Sequence, residues 1–472
     1  MPALHSGARS LSVVAMQTPS APPACSVRWR LLGPLAWAVA WVAATAGCGR
    51  VGGAERLRVP VIVVALDSVP ARLTGLGGEG SHTPVLDRLA RTGLLYSRCV
   101  APEPWSEASL AAALSGGCEG GATLAEVLGR AGWRTHALLA HDSVALPAIT
   151  RGFDDVQRFG AGDPAGGLAA DVVAAALAHL DSADPRAPFL LVHLADARPP
   201  HHLYPGLVEA ADAPYTGPCS AGLPHTELLR LAPTFGPADC ARLRALVASE
   251  VAAVDQALGA LLEGLARRGL ADGALVAVVG TRGAWLGEAG RVGLLPGLEP
   301  EALHVPMVVR LPGRIARAKT GLALSGVIDA PTLTSDLAPT LLDALELAFA
   351  SEAEPEAAAA APATPAGTPG RSVLPGAPAP PATIRLATRR GRAQAAVVSE
   401  AGLVLRDLEA RTELARPFPE LPDAPAPGST QAWTQAEAPL RLELDAWLGP
   451  LTPAGAKAPG AKSPRDSQRK GR

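Results

Sequence analysis

The chain has 472 residues, with 42 Lys plus Arg against 44 Asp plus Glu and a formal net charge of −2. That balance excludes a global field that would recruit nucleic acid or anionic lipid. Aromatic residues at 4% argue against a surface built to stack sugars or bases, and the length leaves room for one large α/β domain with a smaller one, or for two domains.

Arg28-Trp-Arg30 is followed by an apolar run over 31–44 and then by Thr45-Ala-Gly-Cys48. A basic segment, an apolar run short for a membrane span, and small residues after it read as a secretory signal. The cysteine directly after Ala46-Gly47 resembles a bacterial lipoprotein signal, which makes Cys48 the lipidated anchor to the membrane; plain export is the alternative. Either way the chain is expected to be exported to the cell envelope. Four cysteines remain beyond it, Cys99, Cys118, Cys219 and Cys240. In an exported protein they permit two disulfides, and chain order suggests 99–118 and 219–240 as the simplest pairing.

Val59-Pro-Val-Ile-Val-Val-Ala-Leu-Asp67 reads as a strand buried on both faces and ending in an acid, at the sheet edge where open α/β folds place ligands. Thr83 to Gly93 predicts a short helix with Thr cap, Pro and Gly stop. Ala101-Pro-Glu-Pro-Trp-Ser106 runs into an Ala-rich helix that stops at Gly116. The Ser106 hydroxyl is either a cap or a nucleophile at the positive end of the helix dipole. A helix over 122–131, a strand over 134–140, a helix over 168–180 and a buried strand over 188–194 follow, the last leading to Asp196. Residues 197–237 read as a long functional or capping loop. The stripe from Leu243 to Leu265 predicts a long helix over 237–269, followed by strands over 274–280 and 305–311 and a helix over 332–347.

This alternation predicts an α/β fold: a large, mostly parallel sheet flanked by helices over 55–348. An Ala/Pro-rich linker (349–382) leads to a small C-terminal subdomain (383–450) of antiparallel strands and a helix over 439–448. Residues 1–48 are the export segment, and the Lys/Arg/Pro tail (451–472) is expected to be disordered.

Taken in order, these segments resemble the sulfatase family of the alkaline-phosphatase superfamily. The resemblance rests on the strand ending in Asp67, on Thr83-Pro-Val-Leu-Asp-Arg-Leu-Ala90, and on Trp105-Ser106 running to Gly116. Ala131-Gly-Trp-Arg-Thr135, Phe189-Leu-Leu-Val-His193, Leu286-Gly-Glu288 and His304-Val-Pro-Met307 continue it, with Asp336-Leu-Ala-Pro-Thr340 and Gly370-Arg-Ser372. It implies an alkaline-phosphatase-like sheet and cleavage of sulfate or phosphate esters. In that chemistry a hard divalent cation such as Ca²⁺ or Mg²⁺ holds the anionic group for attack by an activated hydroxyl.

Residue by residue, Ser106 stands at the nucleophile position and Asp67 at the first metal-ligand position. Departures are concentrated around them. Ala108 and Leu110 replace the proline and arginine that direct formylglycine formation. Gly280-Thr-Arg-Gly283 replaces the second acidic pair, and Asp196-Ala-Arg198 replaces Asp-Pro-His. His201 and His202 stand near enough in sequence to serve as the acid. Two readings follow. In one, the chain is a non-hydrolytic homologue without a cation, in which Arg198, Arg282 and Arg291 converge on an anionic ester or glycan as bidentate donors; the bland alternative has each arginine facing solvent or paired with Glu288 or Asp196. In the other, it is a hydrolase with Ser106 as nucleophile, His201 or His202 as acid and one divalent cation at Asp67.

Overall fold

In the computed structural model the branched apolar run after Pro60 forms β1 (Val61–Leu66), buried along its whole length. The structure describes residues 58–448 apart from 77–81, 119, 161, 163–165, 321–324, 350–368, 378–382, 389–393, 400–401, 408–411 and 418–429. The 1–48 segment with Cys48, most of the 349–382 linker and the 451–472 tail lie outside those residues.

Further strands are β2 (Leu94–Tyr96), β3 (Cys99–Val100), β4 (Arg134–Leu139), β5 (Asp155–Arg158), β6 (Pro188–Leu194) and β7 (Leu275–Gly280). After a small β8 (Trp285–Leu286) and β9 (Val292–Gly293) hairpin come β10 (Met307–Arg310), β11 (Gly326–Ile328) and β12 (Thr332–Leu333). The main sheet has the order β11-β2-β10-β7-β1-β6-β4-β5, and all neighbours are parallel except the two that β10 makes with β2 and β7. β1 is central. Its Val64 lies opposite Val192 on β6 and Val278 on β7.

Strand periodicity divides the core in two. Val61, Val63 and Ala65 face one cluster shared with the helices Ser106–Ser115, Leu124–Arg130 and Leu337–Ala344. Ile62, Val64 and Leu66 face the other, shared with Pro84–Arg91, Ala169–Leu180 and Pro237–Arg267. The last of these is the one helix, among the described residues, long and apolar enough to cross a membrane; most of its apolar window is buried in the protein. It serves as a core helix.

The small C-terminal sheet is an antiparallel meander of β13 (Thr383–Thr388), β14 (Gln394–Ser399), β15 (Gly402–Asp407) and β16 (Thr412–Pro417). Its alternation is readable in β14. Ala396 and Val398 join the main core, while Ala395 and Val397 pack under Leu440 and Leu444 of the helix Thr430–Leu448.

Four expectations need correction. The helix expected over 332–347 begins at Leu337, because Thr332 and Leu333 are taken as a strand beside β3 and Asp336 Oδ2 accepts from Leu333 N at 2.9 Å. The 197–237 loop contains the helix His225–Leu231. The last helix is longer than expected and carries Pro439 in its interior. Neither expected disulfide is formed, since all four described cysteines are free. Cys99 is fully buried beside Met307 Sδ at 3.5 Å, and Cys118 is exposed beyond the end of its helix.

The helix Pro84–Arg91 shows how distant residues secure an element. Its N-cap Thr83 makes no capping bond. Instead Asp255, from the long helix, accepts from Val85 N and Leu86 N at 2.9 Å each, and burial pushes its carboxyl up to about 6. Replacing Asp255→Ala leaves two donors without their acceptor and is expected to cost about 1–3 kcal/mol, read from urea unfolding midpoints.

Candidate active site

Asp67 follows β1 directly. Asp67 N donates to Leu194 O at the end of β6, and Thr281 N donates to Leu66 O, both at 2.9 Å. The parallel register thus sets Asp67 between the residues that follow β6 and β7. Ser68 turns the chain away in a left-handed conformation, φ 63°, an unusual backbone state for a non-glycine residue.

Ser106 is the first residue of its helix. The N-cap is Trp105, which makes no side-chain capping bond, so the Ser106 hydroxyl is free of the capping role. It donates to Asp67 Oδ1 at 2.6 Å. Ser68 Oγ and Thr281 Oγ1 donate to the same oxygen at 3.0 Å each. The other oxygen, Oδ2, accepts from Arg198 Nη1 at 2.8 Å and lies 3.3 Å from His193 Nε2. An ionised carboxylate only accepts, so the His193 contact places the hydrogen on Nε2. Arg198 Nη1 also donates to Ser106 Oγ at 3.3 Å, so one guanidinium nitrogen bridges the carboxylate and the hydroxyl. Burial works to raise the Asp67 pKa; the Arg198 charge, with His193 and Ser106, outweighs it and holds the carboxyl well below its ordinary value.

Arg282 lies one residue beyond Thr281 and is 2% exposed. Its Nε donates to Gly283 O at 3.1 Å and its Nη2 to Leu295 O at 3.0 Å. The fold approaches closely here, for a Cβ at Gly283 would meet Glu301 O at 2.2 Å. Burial lowers its pKa to about 10, the Asp67 and Glu107 charges opposing that shift and the Arg198 charge adding to it.

A second group borders the first. Glu250, on the long helix, accepts from His202 N at 2.6 Å and lies 2.8 Å from His201 Nδ1. Burial pushes Glu250 up to about 7 against the pull of His201. His201 is 4% exposed and its Nε2 has no hydrogen-bond partner, whereas the His202 side chain is exposed. His225 accepts from Leu294 N through Nε2 at 3.1 Å. Burial, and then the His201, Arg282 and Arg198 charges, lower it to about 4. The charges of both groups thus act on His225 together.

Arg291 is engaged otherwise. It pairs with Glu299 Oε1 at 2.6 Å, donates to Pro296 O, and lies over the Trp285 ring 3.6 Å from its centroid. Glu288 pairs with Arg72 and Arg244, and Asp196 accepts from Tyr204 Oη and Ala169 N. His193, Glu250 and His225 escape sequence reasoning. His193 left one signal, a polar ring inside an otherwise apolar strand buried on both faces.

The donors present do not fit a divalent cation. A hard ion needs several oxygen ligands, yet both Asp67 oxygens are already occupied, Oδ1 by three hydroxyls and Oδ2 by Arg198 and His193. Among the described residues no three His, Cys, Asp or Glu side chains gather around Asp67 at ligand spacing. Arg198 and Arg282 would repel an added cation at contact range. What this arrangement can do is hold an anion.

No curated protein matches the chain. Its fold is similar to that of a 2-O GAG sulfatase, with TM-score 0.61 and 16% identity over 83% of this chain and 92% of that one. It is also similar to a phosphonate monoester hydrolase of Agrobacterium radiobacter (TM-score 0.59, 16% identity, 83% and 96% covered). A third similar structure holds its substrate D-glucosamine-2-N,6-O-disulfate (TM-score 0.56, 16% identity, 83% and 97% covered). Identities this low show the fold alone, which is alkaline-phosphatase-like. The Sulfatase family model matches residues 60–347, more than half of the chain, and with the sheet and the Asp67–Ser106 pair in place the chain belongs to the sulfatase family.

Proposed function

We propose that this chain is a non-hydrolytic sulfatase homologue that binds a sulfate or phosphate ester through Arg198 and Arg282 without a divalent cation. One observation carries the reading: two guanidinium groups stand together, Arg282 buried and bonded to backbone carbonyls and Arg198 held at Asp67 and Ser106. Buried charges are ordinarily balanced, and an anionic group entering the site supplies negative charge to the pair. A sulfuryl or phosphoryl group matches the planar donor geometry of arginine, and the disulfated sugar in a structural relative makes a sulfated glycan the first ligand class to try. Hydrolysis is disfavoured because the Ser106 proton faces a carboxylate too acidic to take it.

The N-terminal pattern ending at Cys48 supports export and lipid anchoring. A Cys48→Ser variant expressed from its own signal should then leave the membrane fraction.

The competing hydrolase reading draws on His201, whose Nε2 is unpartnered while Glu250 orients the ring. One set of measurements separates the two. Calorimetric titration of the purified chain with inorganic sulfate, inorganic phosphate and a sulfated glycan is expected to show saturable binding to at least one. Aryl sulfate and aryl phosphate are expected to stay uncleaved. Turnover that disappears in Ser106→Ala would establish the hydrolase, and no binding at millimolar ligand would remove the proposal.

A further inference from the structure

His136, Asp155 and His179 meet away from the cleft, two strands over from β1. β4 and β5 are parallel neighbours, and their register sets His136 directly opposite Asp155, so both side chains leave the same face of the sheet. His179 comes onto that face from the last turn of the helix Ala169–Leu180. The two imidazole rings have their centroids 4.2 Å apart at 34°, and His136 Nδ1 lies 3.9 Å from Asp155 Oδ2. One ligating atom from each of the three side chains falls within 4.8 Å of the others.

Both ring nitrogens of His136 are buried without a hydrogen-bond partner. An imidazole with neither nitrogen satisfied is an exception among buried polar groups and calls for a missing partner. Of the neighbouring charges, Asp154 pairs with Arg186 at 3.2 Å and Arg186 also binds Asp184; Arg134, donating through Nε to Arg186 O, is a like charge that acts on both imidazoles and that a bound dication must tolerate beside Asp155. Asp155, whose side chain is 50% exposed, keeps the cluster open to solvent.

We propose that His136, Asp155 and His179 form a binding site for a borderline transition-metal dication, zinc being the class that fits best. Two imidazoles and one carboxylate suit zinc and its neighbours, and not calcium or magnesium, which take oxygen. Zinc–ligand bonds of about 2.0–2.1 Å in a tetrahedral site set the donors about 3.4 Å apart, so separations of up to 4.8 Å must shorten by up to about 1.5 Å as the side chains turn toward the ion. Three protein ligands leave the fourth position to water. Nothing in this site depends on the Asp67 cleft, so it stands or falls separately from the function proposed above.

The test is calorimetric titration of the full chain with Zn²⁺ after chelator treatment, with metal analysis of the dialysed product. One equivalent is expected in the wild type. His136→Gln and His179→Gln should each weaken binding at least about tenfold. Asp155→Ala should also weaken it, and because Asp155 is half exposed this variant keeps the test open if a histidine variant fails to fold. Absence of saturable binding in the wild type overturns the proposal. So does unchanged affinity in Asp155→Ala together with a folded His136→Gln, which would place the ion elsewhere.

Discussion

Replacing Asp67→Ala is expected to destabilise the fold by about 3–5 kcal/mol, the largest single-site loss at the cleft. The carboxylate is fully buried and receives Ser68, Ser106, Thr281, Arg198 and His193. Its removal strands the Arg198 guanidinium, whose side chain is only 16% exposed, and takes the nearby Asp67 charge from buried Arg282 as well. Breaking one side of a buried ion pair costs more than the pair contributes, because the surviving charge stays desolvated. The sign of the pH dependence follows from the depressed pKa. A carboxyl held lower in the fold than in the unfolded chain stabilises above its unfolded value and loses that contribution as pH falls through the folded one. Wild-type stability should therefore decline below about pH 4, and the variant should lack that part of the decline. Urea unfolding of both proteins across the acid range measures it. A difference of less than about 1 kcal/mol at neutral pH would mean that water reaches Arg198 and that the cleft is not a dry, charged site.

How much of this was legible from the residues depends on the range of the interactions. The strand ending in Asp67 declares itself by a run of branched apolar residues closed by an acid, and Ser106 by an extended Pro-rich segment meeting an Ala-rich helix. Arg198 and Arg282 stood out because cations occupy positions where the family resemblance leads one to expect ligands or an acid. Other members were hidden for physical reasons. Glu250 reaches His201 across 49 residues, and its helix shows only an apolar stripe with an acid in it. His225 sits on a short helix inside a loop without periodicity. The edge strand Asp155–Arg158 is polar and mostly exposed, so it carries no strand pattern, yet its register with β4 brings His136 to Asp155. The cysteines mislead in the opposite sense: nearness in chain order implied pairs, but burial separates Cys99 from exposed Cys118.

Arg282→Met is expected to weaken anion binding and to leave the ligand-free fold close to wild-type stability. Loss of a charge-assisted contact to a bound sulfate or phosphate, at about 1.5–3 kcal/mol, corresponds to roughly tenfold to a hundredfold weaker binding. Burial lowers the Arg282 pKa from 12.5 to about 10, so removing the buried charge is favourable. The substitution also leaves the carbonyls of Gly283 and Leu295 without their donors, at about 1–3 kcal/mol each, which opposes that gain. Wild-type melting temperature should rise with added sulfate or phosphate, while the variant should respond little. A buried cation whose loss removes the response to an anion is a receptor for a negative charge. Undiminished anion binding by a folded Arg282→Met protein would assign that charge no such part and leave Arg198, already held by Asp67, as the remaining donor.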